Sequence, residues 1–185
     1  MDFSIGIVLF LTFGCISSRK YKSVISVENG SPWGNWGPRH FCPKGYAHAF
    51  QLKVHDHQGP QAWQDDTGLN GIRLHCTDGA TIESQVGKWG TWRVNDSCPE
   101  GNLQQFSLQV EEPQGLLDDT AANNIRFRCE FGIALGGRGH NWGKFGAWSK
   151  SCAPGFICGI VTKMDVDNGA GDDTALNDVK FYCCD

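Results

Sequence analysis

The residues best suited to chemistry in this 185-residue chain are three pairs of adjacent aspartates. They stand in Asp65-Asp66-Thr67-Gly68-Leu69-Asn70, Asp118-Asp119-Thr120-Ala121-Ala122-Asn123 and Asp172-Asp173-Thr174-Ala175-Leu176-Asn177. Glycosidic-bond chemistry uses two carboxyl groups, one as acid and the other as base or nucleophile. Their threefold recurrence argues against that role, because an active site needs one asymmetric constellation. The structural assignment is a turn: Asp and Thr side chains bond nearby backbone N–H groups, and the downstream Asn tolerates a left-handed backbone. We therefore expect no catalytic residue and retain Asp66, Asp119 and Asp173 as candidate sugar contacts. Acidic loops also bind calcium, but this spacing does not match an EF-hand loop.

Tryptophan supplies a flat apolar face on which a sugar ring can stack. Trp33, Trp36, Trp89, Trp92, Trp142 and Trp148 recur along the chain, and aromatics that recur with a repeat are expected to pack around its shared axis. Trp63 stands outside the repeat, in a polar insert, and is the candidate exposed binding aromatic. His55 and His57 form a His-x-His whose side chains would share one strand face, but no third ligand accompanies them. The cysteines lie far apart or directly adjacent, without the C-x2-C pair that seeds a zinc site. Neither a metal nor another cofactor is expected, and no Gly-x-Ser-x-Gly offers a nucleophile.

Cysteine usage points instead to export. Residues Ile5 to Phe13 are apolar, too few for the roughly 20 residues that span a bilayer, and lead to small residues at Cys15, Ser17 and Ser18. Residues 1–18 are expected to be a secretory signal peptide, although no Lys or Arg precedes the apolar run. Of nine cysteines, its removal leaves Cys42, Cys76, Cys98, Cys129, Cys152, Cys158, Cys183 and Cys184, an even set suited to disulfides outside the cell. Asn95-Asp96-Ser97 and Asn29-Gly30-Ser31 match the N-glycosylation acceptor pattern, the second weakened by Pro32. With 16 basic and 20 acidic residues and no basic cluster, a nucleic-acid partner is not expected. Nor is membrane insertion, since Gly, Pro or charge breaks every later apolar run.

The elements that position these residues are legible as a repeat. Trp33-Gly34-Asn35-Trp36, Trp89-Gly90-Thr91-Trp92 and Trp142-Gly143-Lys144-Phe145 each open a unit. Cys42-Pro43, Cys98-Pro99 and Cys152-Ala153-Pro154 follow in the same order, and the Asp-Asp-Thr blocks precede a short run ending in Cys. The copies span about residues 33–79, 89–132 and 142–185, inside a single domain of residues 19–185. Phe50, Leu52 and Val54 alternate with polar residues, as do Phe106, Leu108 and Val110, and period two is that of a half-buried strand. The third copy, around Ile160 to Met164, alternates less regularly. In the closing strands the cysteine shares the apolar face: Ile72, Leu74, Cys76; Ile125, Phe127, Cys129; Val179, Phe181, Cys183. Pairing within units would give Cys42–Cys76, Cys98–Cys129 and Cys152 with Cys183 or Cys184, leaving Cys158 the other, one arrangement among the 105 that eight cysteines allow. Three half-buried sheets must cover one another, and either a β-trefoil or a β-prism does so.

The three Trp-Gly-x-aromatic openings, the Asp-Asp-Thr-x-x-Asn-x-[Ile/Val]-[Arg/Lys] blocks and the terminal Cys183-Cys184 resemble the vitelline membrane outer layer protein 1 family. The resemblance covers nearly everything after residue 18. It implies an all-β fold, a β-prism I of three Greek-key four-stranded sheets with internal pseudo-threefold symmetry, and extracellular residence. It also implies a rival activity, the lengthening of N-acetylchito-oligosaccharides, for which no catalytic residue carries over by position. The expectation that follows is a non-catalytic protein of an extracellular matrix, egg coat or mucosal layer, with glycans or glycoproteins as partners. Its function should reside where the copies differ: at Trp63, at His55 and His57, and at Cys158 with Cys184.

Overall fold

The computed structural model describes residues 19–56, 68–111, 122–165 and 175–185. Among these residues there are strands and no helix, and hence no helix able to cross a membrane. Three long antiparallel hairpins dominate: β4 (Ala47–Val54) with β5 (Leu69–Cys76), β9 (Leu103–Val110) with β10 (Ala122–Cys129), and β13 (Phe156–Met164) with β14 (Leu176–Cys184). Their registers set Phe50 opposite Leu74, Phe106 opposite Phe127 and Ile160 opposite Phe181, so the apolar alternation of each strand points one way. All six of these side chains are buried.

The sequence repeat and the sheets are out of phase. The first sheet has the order β6 (Thr81–Glu83), β5, β4, β7 (Thr91–Trp92), and the second β11 (Ala134–Gly136), β10, β9, β12 (Lys144–Phe145). The third runs β1 (Ser23–Ile25), β14, β13, β2 (Asn35–Trp36). Short strands β8 (Asp96–Ser97) and β3 (His40–Phe41) continue the β7 and β2 edges. Each Trp-Gly-x-aromatic opening is therefore the edge of the sheet belonging to another copy: the second lies on β4, the third on β9, and the first closes the ring on β13. Strand β1, from before the first repeat, fills the place that β6 and β11 take in the other sheets.

Phenylalanines fill the axis. Phe50 and Phe127 stand 4.6 Å apart by ring centroids, Phe106 and Phe181 4.8 Å, and Phe127 and Phe181 5.2 Å in an edge-on contact. The tryptophans are not there, contrary to the expectation above. Trp33, Trp36 and Trp89 are 60%, 39% and 44% exposed, and Trp92, Trp142 and Trp148 are half-buried. The physical reason is their place on edge strands, for Trp36 and Trp92, or on the irregular segments beside them, for the other four, together with the indole N–H, which a dry apolar axis leaves without a partner.

The irregular third hairpin also has a cause. Strand β13 is buried along nearly its whole length because its outer face is covered too. Cys158, Val161, Tyr182 and Cys184 form a second cluster there, with Phe41 and Tyr46 packed on it. Tyr21 meets Tyr182 edge-on at 4.8 Å, and Arg39 lies over the Tyr182 ring.

Disulfides tie the sheets together. Cys42 hangs on the third sheet through its N–H to the Cys158 carbonyl and is bonded to Cys76 of the first. Cys98, on the first sheet through the His48 carbonyl, is bonded to Cys129 of the second. Cys152, on the second through the Gln104 carbonyl, is bonded to Cys183 of the third. The fourth bridge, Cys158–Cys184, stays within the third sheet.

Candidate functional site

The two recurrent motifs of the repeat meet at one end of the prism, where the Trp-Gly openings reach the far ends of β4, β9 and β13. Gly34, Gly90 and Gly143 have positive φ and lie flat against the Met164, Val54 and Val110 carbonyls, where a Cβ would collide. That contact fixes Trp33, Trp89 and Trp142 at this end. The backbone carbonyls of Asn177, Asn70 and Asn123 accept from the N–H groups of Ser31 (2.8 Å), Gly87 (2.6 Å) and His140 (2.9 Å), each two residues before its tryptophan. These asparagines are buried strand residues and not left-handed. The left-handed positions are Gly68 (φ 57°) and Ala175 (φ 50°), two residues earlier. The expected turn role of the asparagine is thus replaced by a strand-end clamp.

The remaining motif residues are used on the outer faces. Arg73 lies 3.9 Å from the Trp92 ring centroid, Arg126 4.5 Å from Phe145 and 4.6 Å from Trp148, and Lys180 4.2 Å from Trp36. The basic residue after each Ile or Val therefore covers the second aromatic of a neighbouring opening, a contact that holds the edge strand down.

The indoles at the turning end are covered unequally. His55 stacks on Trp89 at 6.0 Å with Lys88 4.5 Å from the same ring, and His140 stacks on Trp142 at 4.5 Å. His140 Nε2 donates to the His55 carbonyl at 2.7 Å, which closes that seam between sheets. Trp33 is the most exposed of the three. A cleft of about 670 Å³ opens between Asn29–Pro32, the residues that lead into Trp33, the β9 end at Val110 and Glu111, and Gly143 to Gly146. A second cleft of about 700 Å³ adjoins it at Asn29, along Val24 to Glu28 and Ala147 to Lys150. Sequence reasoning missed both, since one wall precedes the first repeat.

Trp63, Asp66, Asp119 and Asp173 lie outside the described residues, as do Asp65, Asp118, Asp172 and His57. Asn95 is exposed, and its amide donates to the Ser97 hydroxyl at 3.2 Å. Asn29 Nδ2 donates to the Leu108 carbonyl at 2.9 Å inside the cleft wall. Among the described residues no group of His, Cys, Asp and Glu is arranged to hold a metal. Burial pushes the Asp178 carboxyl up, and this group accepts from the Val179 N–H at 2.7 Å, a capping role. Burial, with Arg73 and His48 nearby, holds His75 down while its ring meets Gln51 at 3.0 Å.

A family model described as vitelline membrane outer layer protein I matches residues 23–185. The vitelline membrane outer layer protein 1 homolog of Homo sapiens is 49% identical over 172 residues, covering 89% of this chain and 84% of that protein. Its Mus musculus counterpart is 46% identical over 173 residues, covering 89% and 85%. Among solved structures, frutalin from Artocarpus incisa superposes with a TM-score of 0.56 at 13% identity, covering 90% of this chain and 98% of that one. The artocarpin–mannotriose complex does so at 0.55 and 14%, covering 89% and 99%. At such identity these last two show a shared β-prism fold and nothing more.

Proposed function

Because this chain belongs to the vitelline membrane outer layer protein I family, we propose that it is an exported structural protein of an egg coat or mucosal layer that contacts glycans without catalysing a reaction on them. The observation that carries this reading is the set of exposed indoles, Trp33 and Trp89, at one end of a disulfide-closed body. A pyranose has apolar C–H faces that stack on such rings, and hydroxyls that find polar partners at their rim. Trp63, Asp66, Asp119 and Asp173 remain candidate sugar contacts in this reading on the strength of the sequence alone. Support for the fold's suitability comes from prism lectins of known structure, among them Calsepa lectin in complex with a biantennary N-glycan.

Two experiments test this. Purified protein applied to a broad glycan array with chitotriose and mannotriose included should bind at least one class above control. Binding to none sinks the glycan contact. Expressed in cells of animal origin, the chain should reach the medium without residues 1–18, and retention inside the cell sinks export. The exposed Asn95 should then carry an N-glycan, seen as a mobility shift removed by peptide N-glycosidase and lost in Asn95→Gln.

A further inference from the structure

Three seams join the three sheets, and the same backbone bonds define an equivalent position in each. His140, Ser31 and Gly87 donate their N–H groups to the Asn123, Asn177 and Asn70 carbonyls, and each stands two residues before a Trp-Gly. On the far side of the seam, Gly90 packs on Val54 and His55 as Gly143 packs on Val110 and Glu111. His140 crosses its seam: the ring stacks on Trp142 at 4.5 Å and donates to the His55 carbonyl at 2.7 Å. Ser31, at the matching position, has a side chain too short to do either. Ser31 and Glu111, the counterparts of His140 and His55, both line the 670 Å³ cleft. In the third seam Gly87 also leaves room, but Trp89 is covered there by His55 and Lys88.

Two features of the open seam call for an occupant. Trp33, which corresponds to Trp142, has no stacking partner among the described residues and is 60% exposed. Asn29 Oδ1 lies buried in the cleft wall without a hydrogen-bond partner, while its Nδ2 is held by the Leu108 carbonyl. A buried acceptor left unpaired is costly, and a ligand donor satisfies it once a small turn of the Asn29 side chain brings the oxygen to the cleft surface. The walls supply apolar surface at Pro32, Val110 and Phe145.

We propose that the cleft between residues 29–32 and the β9–β12 end binds one hexopyranose residue, seated where the His140 ring sits in the neighbouring seam. One apolar ring face lies towards Trp33, and a hydroxyl or acetamido N–H donates to Asn29 Oδ1. The molecule thus carries a filled copy of its own site, and the asymmetry between Ser31 and His140 makes one seam a site. This rests on the glycan-contacting reading above and adds its location and the class of unit bound.

The test measures affinity for chitotriose and mannotriose by calorimetry on the full, disulfide-bonded protein. Ser31→His, which rebuilds the plug, and Trp33→Ala, which removes the shelf, should each weaken binding at least tenfold. Phe131→Ala, an exposed apolar residue on the turn between β10 and β11, should leave it unchanged. Should Ser31→His lower the melting midpoint, Trp33→Ala at its exposed position decides alone. Wild-type binding with both variants unaffected overturns the seam site and leaves the glycan reading intact. No binding by the wild type to either sugar or to the array overturns that reading and the seam site with it.

Discussion

Asp178 and Asn124 occupy the same place in two copies of the repeat and do the same work with different charge. Asn124 Oδ1 accepts from Ile125 N–H at 2.9 Å, and Asp178 Oδ1 from Val179 N–H at 2.7 Å. Burial raises the Asp178 pKa above 3.8 despite the Val179 bond and the nearby Lys180 and Lys163. A raised carboxylate contributes stability that is present below the unfolded pKa and lost as pH rises through the folded one. Asp178→Asn should therefore raise the guanidinium midpoint at pH 7, with the gain vanishing near pH 3. His75 runs the other way: burial lowers it from 6.5, so its contribution is present above that pH and lost as pH falls through the folded value. At this scale the sequence showed which residues recur but not their partners. The basic residue of each block and the second aromatic of each opening lie far apart in the chain, and only strand pairing brings Arg73 to Trp92 or Lys180 to Trp36.

Strands long enough to alternate were legible, and short edge strands were not. Phe50, Leu52 and Val54 announce β4 by period two, whereas β7 or β12 has two residues and no period to show. Strand β1 lacks the repeat's landmarks, because its place in the third sheet is taken elsewhere by residues that follow a closing cysteine. For the same reason the cleft beside Asn29 was invisible. One edge runs from β7 through β8 into Cys98 and its disulfide to Cys129. That bridge joins two sheets and closes a separation of 31 residues. Replacing Cys98 and Cys129 together by Ala should cost about 3–4 kcal/mol in denaturant unfolding by the chain-entropy account. A loss below about 1 kcal/mol would show that the sheets hold their angle without it.

No sheet can hide its own apolar face, so the whole molecule should melt as one unit. Phe181 contacts both Phe106 and Phe127 on the axis, and Phe181→Ala should cost about 3–5 kcal/mol while leaving a single calorimetric transition. Separate transitions would mean that the sheets are independent bodies. The ring closure also carries a meaning in time. Residues 23–41, which supply β1, β2 and β3, are synthesised first, yet the strands they pair with, β13 and β14, come last. At roughly 5–20 residues per second that interval is on the order of 10–30 s. Cys42 can find Cys76 long before Cys158, whose carbonyl it finally rests on, has left the ribosome. The bridge from first sheet to third is thus available while the third does not yet exist, tethering the waiting N-terminal segment beside the gap that it will close.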